Sequence, residues 1–236
     1  MIIRIFLAFP SLSPIELEPH VSQQWIPDLE KNTEGKPVVF VNSYRNASLY
    51  NFYTGIKTHS YSILVGRKSQ YNLNEFEANM QGEDVFSATP YSKNQSILAE
   101  RYSSFIYGKH IENYQTFEKV QCLIDSEELT LSPGLNEIEF TLINTYNKNI
   151  TFDHVQFYGV FQGFKNKILA KVPLKITNLT SVMPNQQKVF KAIFEVPLLT
   201  EYETVSFRVA LEFYNLQEGF QGNKVPVIIM NQSTNE

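Results

Sequence analysis

Beyond about residue 115 the chain carries seven short apolar runs, at 120–124, 137–143, 150–152, 155–161, 168–176, 189–196 and 205–214. Turn signals separate them, among them Ser132-Pro133-Gly134, Asn147-Lys148-Asn149, Gly163-Phe164-Lys165-Asn166 and Pro184-Asn185. Ile138, Phe140 and Leu142 alternate with Glu139 and Thr141, the period-two pattern of a half-buried strand. Short strands at regular spacing with no helical period predict an antiparallel β-sandwich of immunoglobulin or jelly-roll type over 118–230. The Cys–Trp–Cys signature of a true immunoglobulin domain is missing, because the chain has one cysteine and one tryptophan.

The first half follows a different rule. In 37–55, PVVFVNSYRNASLYNFYTG, Val38, Val39, Phe40 and Val41 are consecutive apolar residues behind a proline, the mark of a strand buried on both faces. A polar stretch from Asn42 to Asn46 follows, then Ala47, Leu49, Tyr50, Phe52 and Tyr53 at helical spacing, stopped by Gly55. Tyr61, Ile63 and Val65 suggest a second strand. A helix through Leu73, Phe76, Glu77 and Met80, capped by Asn72 or Asn74 and ended by Gly82, leads to a third strand at 85–89. Links of this length favour parallel pairing. The expected fold is therefore α+β with two domains: a small, three-layer-like α/β domain over 20–100, a connector at 101–117, and the sandwich. Trp25, Ile26 and Leu29 predict a helix docked on the first sheet, with Ser22 as its cap.

A strand running through a loop into a helix delivers that loop to the carboxyl edge of a sheet, where α/β domains place ligands. The loop lacks the glycines of a phosphate cradle. Asn42, Ser43, Tyr44 and Arg45 instead offer neutral donors and acceptors with one cation, a set suited to a sugar or a phosphate. Arg67 and Gln70 fall where the second strand would end and complete the same rim, Arg67 being the cation assigned to a phosphate or carboxylate. The tyrosines around them (Tyr44, Tyr50, Tyr53, Tyr61, Tyr71) either stack on sugar faces or fill a core face with their hydroxyls at its rim.

The motif at 37–55, with Arg67, Gln70-Tyr71-Asn72-Leu73 and Met80-Gln81-Gly82-Glu83-Asp84-Val85, resembles the soluble extracytoplasmic C-terminal region of certain bacterial membrane glycosyltransferases. These are Bacteroidetes-type members of the dolichyl-phosphate-mannose–protein mannosyltransferase superfamily, relatives of the lipid A aminoarabinose transferases. The resemblance covers about residues 1–90. It implies a non-catalytic domain at the periplasmic face of the inner membrane, helping to position an acceptor or a polyprenyl-phosphate-sugar head group. Its partners would be that glycan or lipid-linked sugar and a transmembrane catalytic domain of the same polypeptide. On that expectation 1–19 is a leader or the end of a transmembrane helix; the apolar run 1–9 is itself far shorter than the ~20 residues a span needs.

Net charge of −4 and a pI near 5.7 argue against a nucleic-acid partner. Cys122 has no disulfide or metal-ligand companion and reads as a buried small hydrophobe. The four histidines are scattered without metal spacing, no Gly-x-Ser-x-Gly elbow occurs, and no cofactor or catalytic residue is assigned. Two other readings stay open. One is a free-standing carbohydrate-binding or adhesion-like sandwich, for which Tyr158, Phe161, Phe164 and Phe213 either supply an aromatic platform or fill the core. The other is a soluble enzyme with its site on the α/β loop.

Overall fold

The computed structural model describes residues 18–64, 66, 68–73, 76–90, 95–101, 104–197, 205–219 and 221–230, with the side chains from residue 24 onward. The fold is mixed α+β and mostly β, with three sheets and two α-helices among these residues. The described residues fall into two units. One runs to Ser62 and resumes from Lys68 to Thr116; the other takes Ile63, Leu64, Gly66 and the chain from Phe117.

In the first unit, α1 (Glu18–Asn32) precedes β1 (Val38–Val41), α2 (Tyr44–Thr54) and β2 (Thr58–Tyr61). Then come β3 (Val85–Thr89), β4 (Ser96–Arg101) and β5 (Ser104–Ile111), in the order β2-β1-β3-β5-β4. β1 pairs in parallel with β2 and β3, as the link lengths suggest. β5 and β4 extend the sheet as an antiparallel hairpin, so the stretch expected to be a connector forms a strand and its turn-out. Trp25, Ile26 and Leu29 of α1 and Ala47 and Tyr50 of α2 bury themselves against Val38, Phe40, Ala88, Leu98 and Ile106. Trp25, Phe40 and Tyr50 meet ring to ring at 5.9–6.3 Å. Both helices thus lie on one face, where a three-layer arrangement would put one on each. Val39 and Val41, on the opposite face, are also buried. α1 begins at Glu18, so Ser22 lies inside it, and the helix tolerates Pro27 in its interior.

The expected helix near 73–80 is instead two single 3-10 turns, Gln70–Asn72 and Ala78–Met80, with Asn74 and Glu75 outside the described residues. Leu73 is 86% exposed and Phe76 is exposed. Without an apolar face to bury, helical spacing alone does not hold a helix.

In the second unit, one sheet has the order β11-β12-β8-β6 and the other β10-β9-β13-β14-β7. The strands are β6 (Gln121–Leu123), β7 (Leu129–Leu131), β8 (Gly134–Ile143), β9 (Val155–Gln162) and β10 (Ile168–Pro173). They continue as β11 (Lys175–Ile176), β12 (Gln187–Val196), β13 (Val205–Phe213) and β14 (Val225–Ile229). Rings of the two sheets touch: Phe140 with Phe157 at 6.0 Å, Phe161 with Phe194 at 6.4 Å, and Phe194 stacked on Phe207 at 5.2 Å. The run 168–176 splits after Pro173, and its two parts belong to different sheets. Ile150 makes only an isolated bridge to Val182. The strand pairing is antiparallel except for β7 with β14, which run parallel, and Cys122 of β6 adds an isolated parallel bridge to Gly222, so an all-antiparallel description fails there. Cys122 is buried and free, and burial pushes its thiol well above the usual cysteine range.

Candidate functional site

The carboxyl edge of β1 is where four of the six expected binding residues lie. Asn42 takes a left-handed conformation (φ 51°), which an asparagine adopts more readily than most residues. Its N–H donates to the Tyr61 carbonyl at 2.7 Å, so the turn leaves the sheet tied to the end of β2. Ser43 occupies the N-cap position of α2, yet its side chain makes no capping bond. Tyr44 (55% exposed) and Arg45 form the exposed start of the helix, whereas Asn46 is buried. No acidic residue stands in the first turn. A helix N-terminus without a carboxylate carries partial positive charge and unpaired N–H groups, which favour an anion.

Gln70 opens the 3-10 turn and is exposed; Arg67 lies outside the described residues. Side-chain bonds fix the turn beside the same edge. Ser62, just past β2, donates from Oγ to Asn72 Oδ1 at 2.8 Å, and that oxygen also accepts from the Ser69 N–H at 2.8 Å. The Tyr71 hydroxyl lies 3.3 Å from Ser48 Oγ on α2. The register Val41↔Tyr61 sets Asn42 and Ser62 side by side, so the 42–45 segment and the 70–72 turn share one edge.

The tyrosines divide sharply. Tyr50, Tyr61 and Tyr71 are buried, while Tyr44 and Tyr53 are exposed. Tyr50 reaches Thr33 Oγ1 at 3.2 Å, and burial raises its hydroxyl above the usual tyrosine range. Tyr44 and Tyr53 are nine residues apart on one helix, about 13 Å along its axis, too far to stack one sugar ring. Of these two exposed rings, Tyr44 is the one at the edge. Its neighbours supply donors, acceptors and a cation.

In the second unit the fourfold aromatic platform does not form, because Phe161 and Phe213 are fully buried. Tyr158 stays on the outer face, with Lys171 Nζ 4.2 Å above its ring. Lys171 also bonds Glu218 and lies 3.6 Å from Glu212, whose backbone bridges that of Glu218. Burial raises the Glu212 carboxyl, and the hydrogen bond and charge of Glu218 raise it further. Burial pushes Glu218 up too, but the hydrogen bond and charge of Lys171 outweigh it and leave Glu218 below the usual range. Of the two, Glu212 is the carboxyl that takes up a proton first as pH falls. Sequence reading passed over this pair. The one available signal was a glutamate at an outward position of an apolar strand, Glu212 between Leu211 and Phe213.

Among the described residues no three His, Cys, Asp or Glu side chains converge as metal ligands. No helix among them is long and apolar enough to cross a membrane.

No protein family matches the sequence, and no curated protein matches it. Similar solved structures include the Pseudomonas fluorescens alkylpurine DNA glycosylase AlkC bound to DNA containing an abasic site analog. It is 12% identical with a TM-score of 0.29, over 47% of this chain and 30% of that one. The E. coli chaperone DraB is 8% identical with a TM-score of 0.27, over 48% of this chain and 58% of that one. A CARDB domain from Pyrococcus furiosus, in complex with di-metal ions, is 12% identical with a TM-score of 0.28, over 47% of this chain and 88% of that one.

Proposed function

We propose that the chain is a non-catalytic recognition region whose first unit presents the carboxyl edge of β1 to a sugar-phosphate head group. One observation carries the reading: α2 begins at that edge with Ser43 making no capping bond, no carboxylate in its first turn, and Tyr44 and Arg45 exposed beside it. Phosphate oxygens meet N–H donors and a guanidinium there, and the Tyr44 ring and the Gln70 amide suit a sugar's face and hydroxyls. The motif resemblance supports the wider setting, in which the chain is the periplasmic part of a polyprenyl-phosphate-sugar-dependent membrane glycosyltransferase. Transfer itself would belong to a membrane half, and this part would help place donor or acceptor. The second unit reads as an immunoglobulin-like sandwich. Its order β11-β12-β8-β6 follows D-E-B-A, and β9-β13-β14 follows C-F-G.

The test is an NMR titration of the whole chain with mannose 1-phosphate and with free mannose. Amide shifts at Ser43, Tyr44, Arg45 and Gln70 with the phosphate ester are expected, weakened roughly tenfold by Arg45→Gln. Shifts that are absent, or that persist unchanged in Arg45→Gln and Tyr44→Ala, overturn the reading.

A further inference from the structure

Far from that edge in sequence, the second unit carries a set of cations with no anionic partner among the described residues. The pair Phe207↔Val225 brings Arg208 of β13 alongside Lys224, the residue just before β14, and both side chains leave the face opposite the buried Phe207 and Val225. Arg208 is half-buried and its Nε is enclosed without a hydrogen-bond partner. Lys224 bonds only the Asn166 side-chain oxygen. Like charges facing each other across a strand pair destabilise a sheet, and a half-buried guanidinium without a counter-ion is costlier still. Burial lowers the pKa of both groups, and the Arg208 charge lowers that of Lys224 further.

Polar groups from three segments surround the pair. Gln162 shares the Arg208 face through its pairing with Ser206 and is 2% exposed, with an enclosed Oε1 that finds no partner. Its Nε2 donates to the Asn166 carbonyl at 3.2 Å, and Ser206 Oγ donates to the Gln162 carbonyl at 3.3 Å. Asn166 belongs to a tight turn closed by the Gly163 N–H donating to the Lys167 carbonyl at 2.9 Å. The same turn holds out Phe164, 77% exposed, with Lys165 Nζ 5.2 Å from its ring. A single exposed aromatic is ordinary. Carried on the turn whose Asn166 bonds Lys224, it adds an aromatic face to two cations and an unsatisfied amide oxygen.

We infer that Arg208, Lys224, Gln162, Asn166 and Phe164 form a binding site for an acidic saccharide, one whose carboxylate or phosphate ester is flanked by free hydroxyls. The planar guanidinium and the ammonium take the anion, a sugar hydroxyl donates to Gln162 Oε1, and Phe164 stacks on the apolar face of the ring. This site is independent of the β1 edge, and its fate does not decide the reading given there.

The experiment titrates the isotope-labelled whole chain with glucuronic acid, glucose 6-phosphate, glucose and inorganic phosphate, reading the amides of Gln162, Phe164, Ser206, Arg208 and Lys224. Both acidic sugars should shift these amides, and their relative affinities identify the preferred anion. Glucose and inorganic phosphate should bind at least roughly tenfold more weakly. Lys224→Gln, an exposed position, and Arg208→Gln should each weaken the acidic sugars by about tenfold with the remaining spectrum unchanged. Phe164→Ala should weaken the sugars and leave inorganic phosphate alone. The site is overturned if none of the amides moves by about 10 mM ligand, or if the shifts survive both charge variants.

Discussion

Substituting Gly108 by alanine tests whether the β4–β5 hairpin is a structural part of the first sheet. Gly108 lies between two strands, opposite Ala88 on β3 and Ser96 on β4. An added Cβ would sit 1.9 Å from the Ser87 carbonyl oxygen and 2.4 Å from Leu98 Cδ1. Ordinary contact needs about 3.5 Å, so β5 must retreat from β3 by about 1.5 Å, a third of the strand spacing. It cannot retreat freely, because β4 lies on its other side. Overpacking of this kind costs about 1–3 kcal/mol, and losing two or so ladder hydrogen bonds adds about 1 kcal/mol each. The sum is roughly 3–5 kcal/mol, a large part of a domain's stability. Trp25 is the chain's one tryptophan and is fully buried in the first unit's core, so its fluorescence in urea follows this unit. With a slope near 2 kcal/mol/M the midpoint should fall by roughly 2 M. Gly55→Ala is the control: its φ of 70° strains an alanine but no atom lies within 4 Å of the new carbon, so it should cost about 1 kcal/mol. A Gly108→Ala midpoint no lower than that of Gly55→Ala would refute the hairpin's place in the sheet.

Three further outcomes are expected. Glu212 has a raised folded pKa, so its contribution is complete below its unfolded value near 4.3 and is lost as pH rises through the folded one. Glu212→Gln should therefore stabilise the protein at pH 7 and leave it unchanged near pH 3, and thermal melts showing an equal gain at both would refute this. Glu218 has the opposite sign: its lowered pKa contributes stability above about 4.3 that disappears as pH falls. Glu218→Gln should destabilise the protein at pH 7 and cost little near pH 3, read in the same melts. Phe207→Ala removes a fully buried ring that meets Phe161 and Phe194, at a cost of about 3–5 kcal/mol by calorimetry. A loss below about 1 kcal/mol would mean the rings are not the second unit's core.

Most of the strand pattern was legible because burial on one or both faces leaves a mark in the sequence. Val38 to Val41, Val85 to Thr89, and the alternation around Phe140 and Phe194 all became strands. Failures came where pairing, not periodicity, decides. β7 and β14 are short and half-exposed, and they exist because they pair with each other at a sheet edge. The run 168–176 looks continuous, yet Pro173 and Leu174 carry the chain from one sheet to the other. β4 and β5 were hidden because Glu100, Ser104 and Phe105 face solvent and blunt their alternation. Leu73 and Phe76 erred the other way, imitating a helix face that nothing covers.

The two candidate sites differ in legibility for the same reason. A strand, a polar loop and a helix start are contiguous in sequence, so Asn42, Ser43, Tyr44 and Arg45 could be placed at one edge from their order alone. Asn42 shows why contiguity does not by itself assign a role: its positive φ and its N–H bond to Tyr61 explain its presence structurally. Ser43 is the more telling neighbour, since a serine at a helix cap that makes no cap bond leaves a favourable local interaction unused. The site at Arg208 is assembled from β9, β13, the approach to β14 and the turn at Asn166, with Gln162 and Lys224 62 positions apart. Nothing local marks it. What marks it in three dimensions is charge and polarity left unanswered, and that imbalance is invisible until the register Phe207↔Val225 brings its parts together.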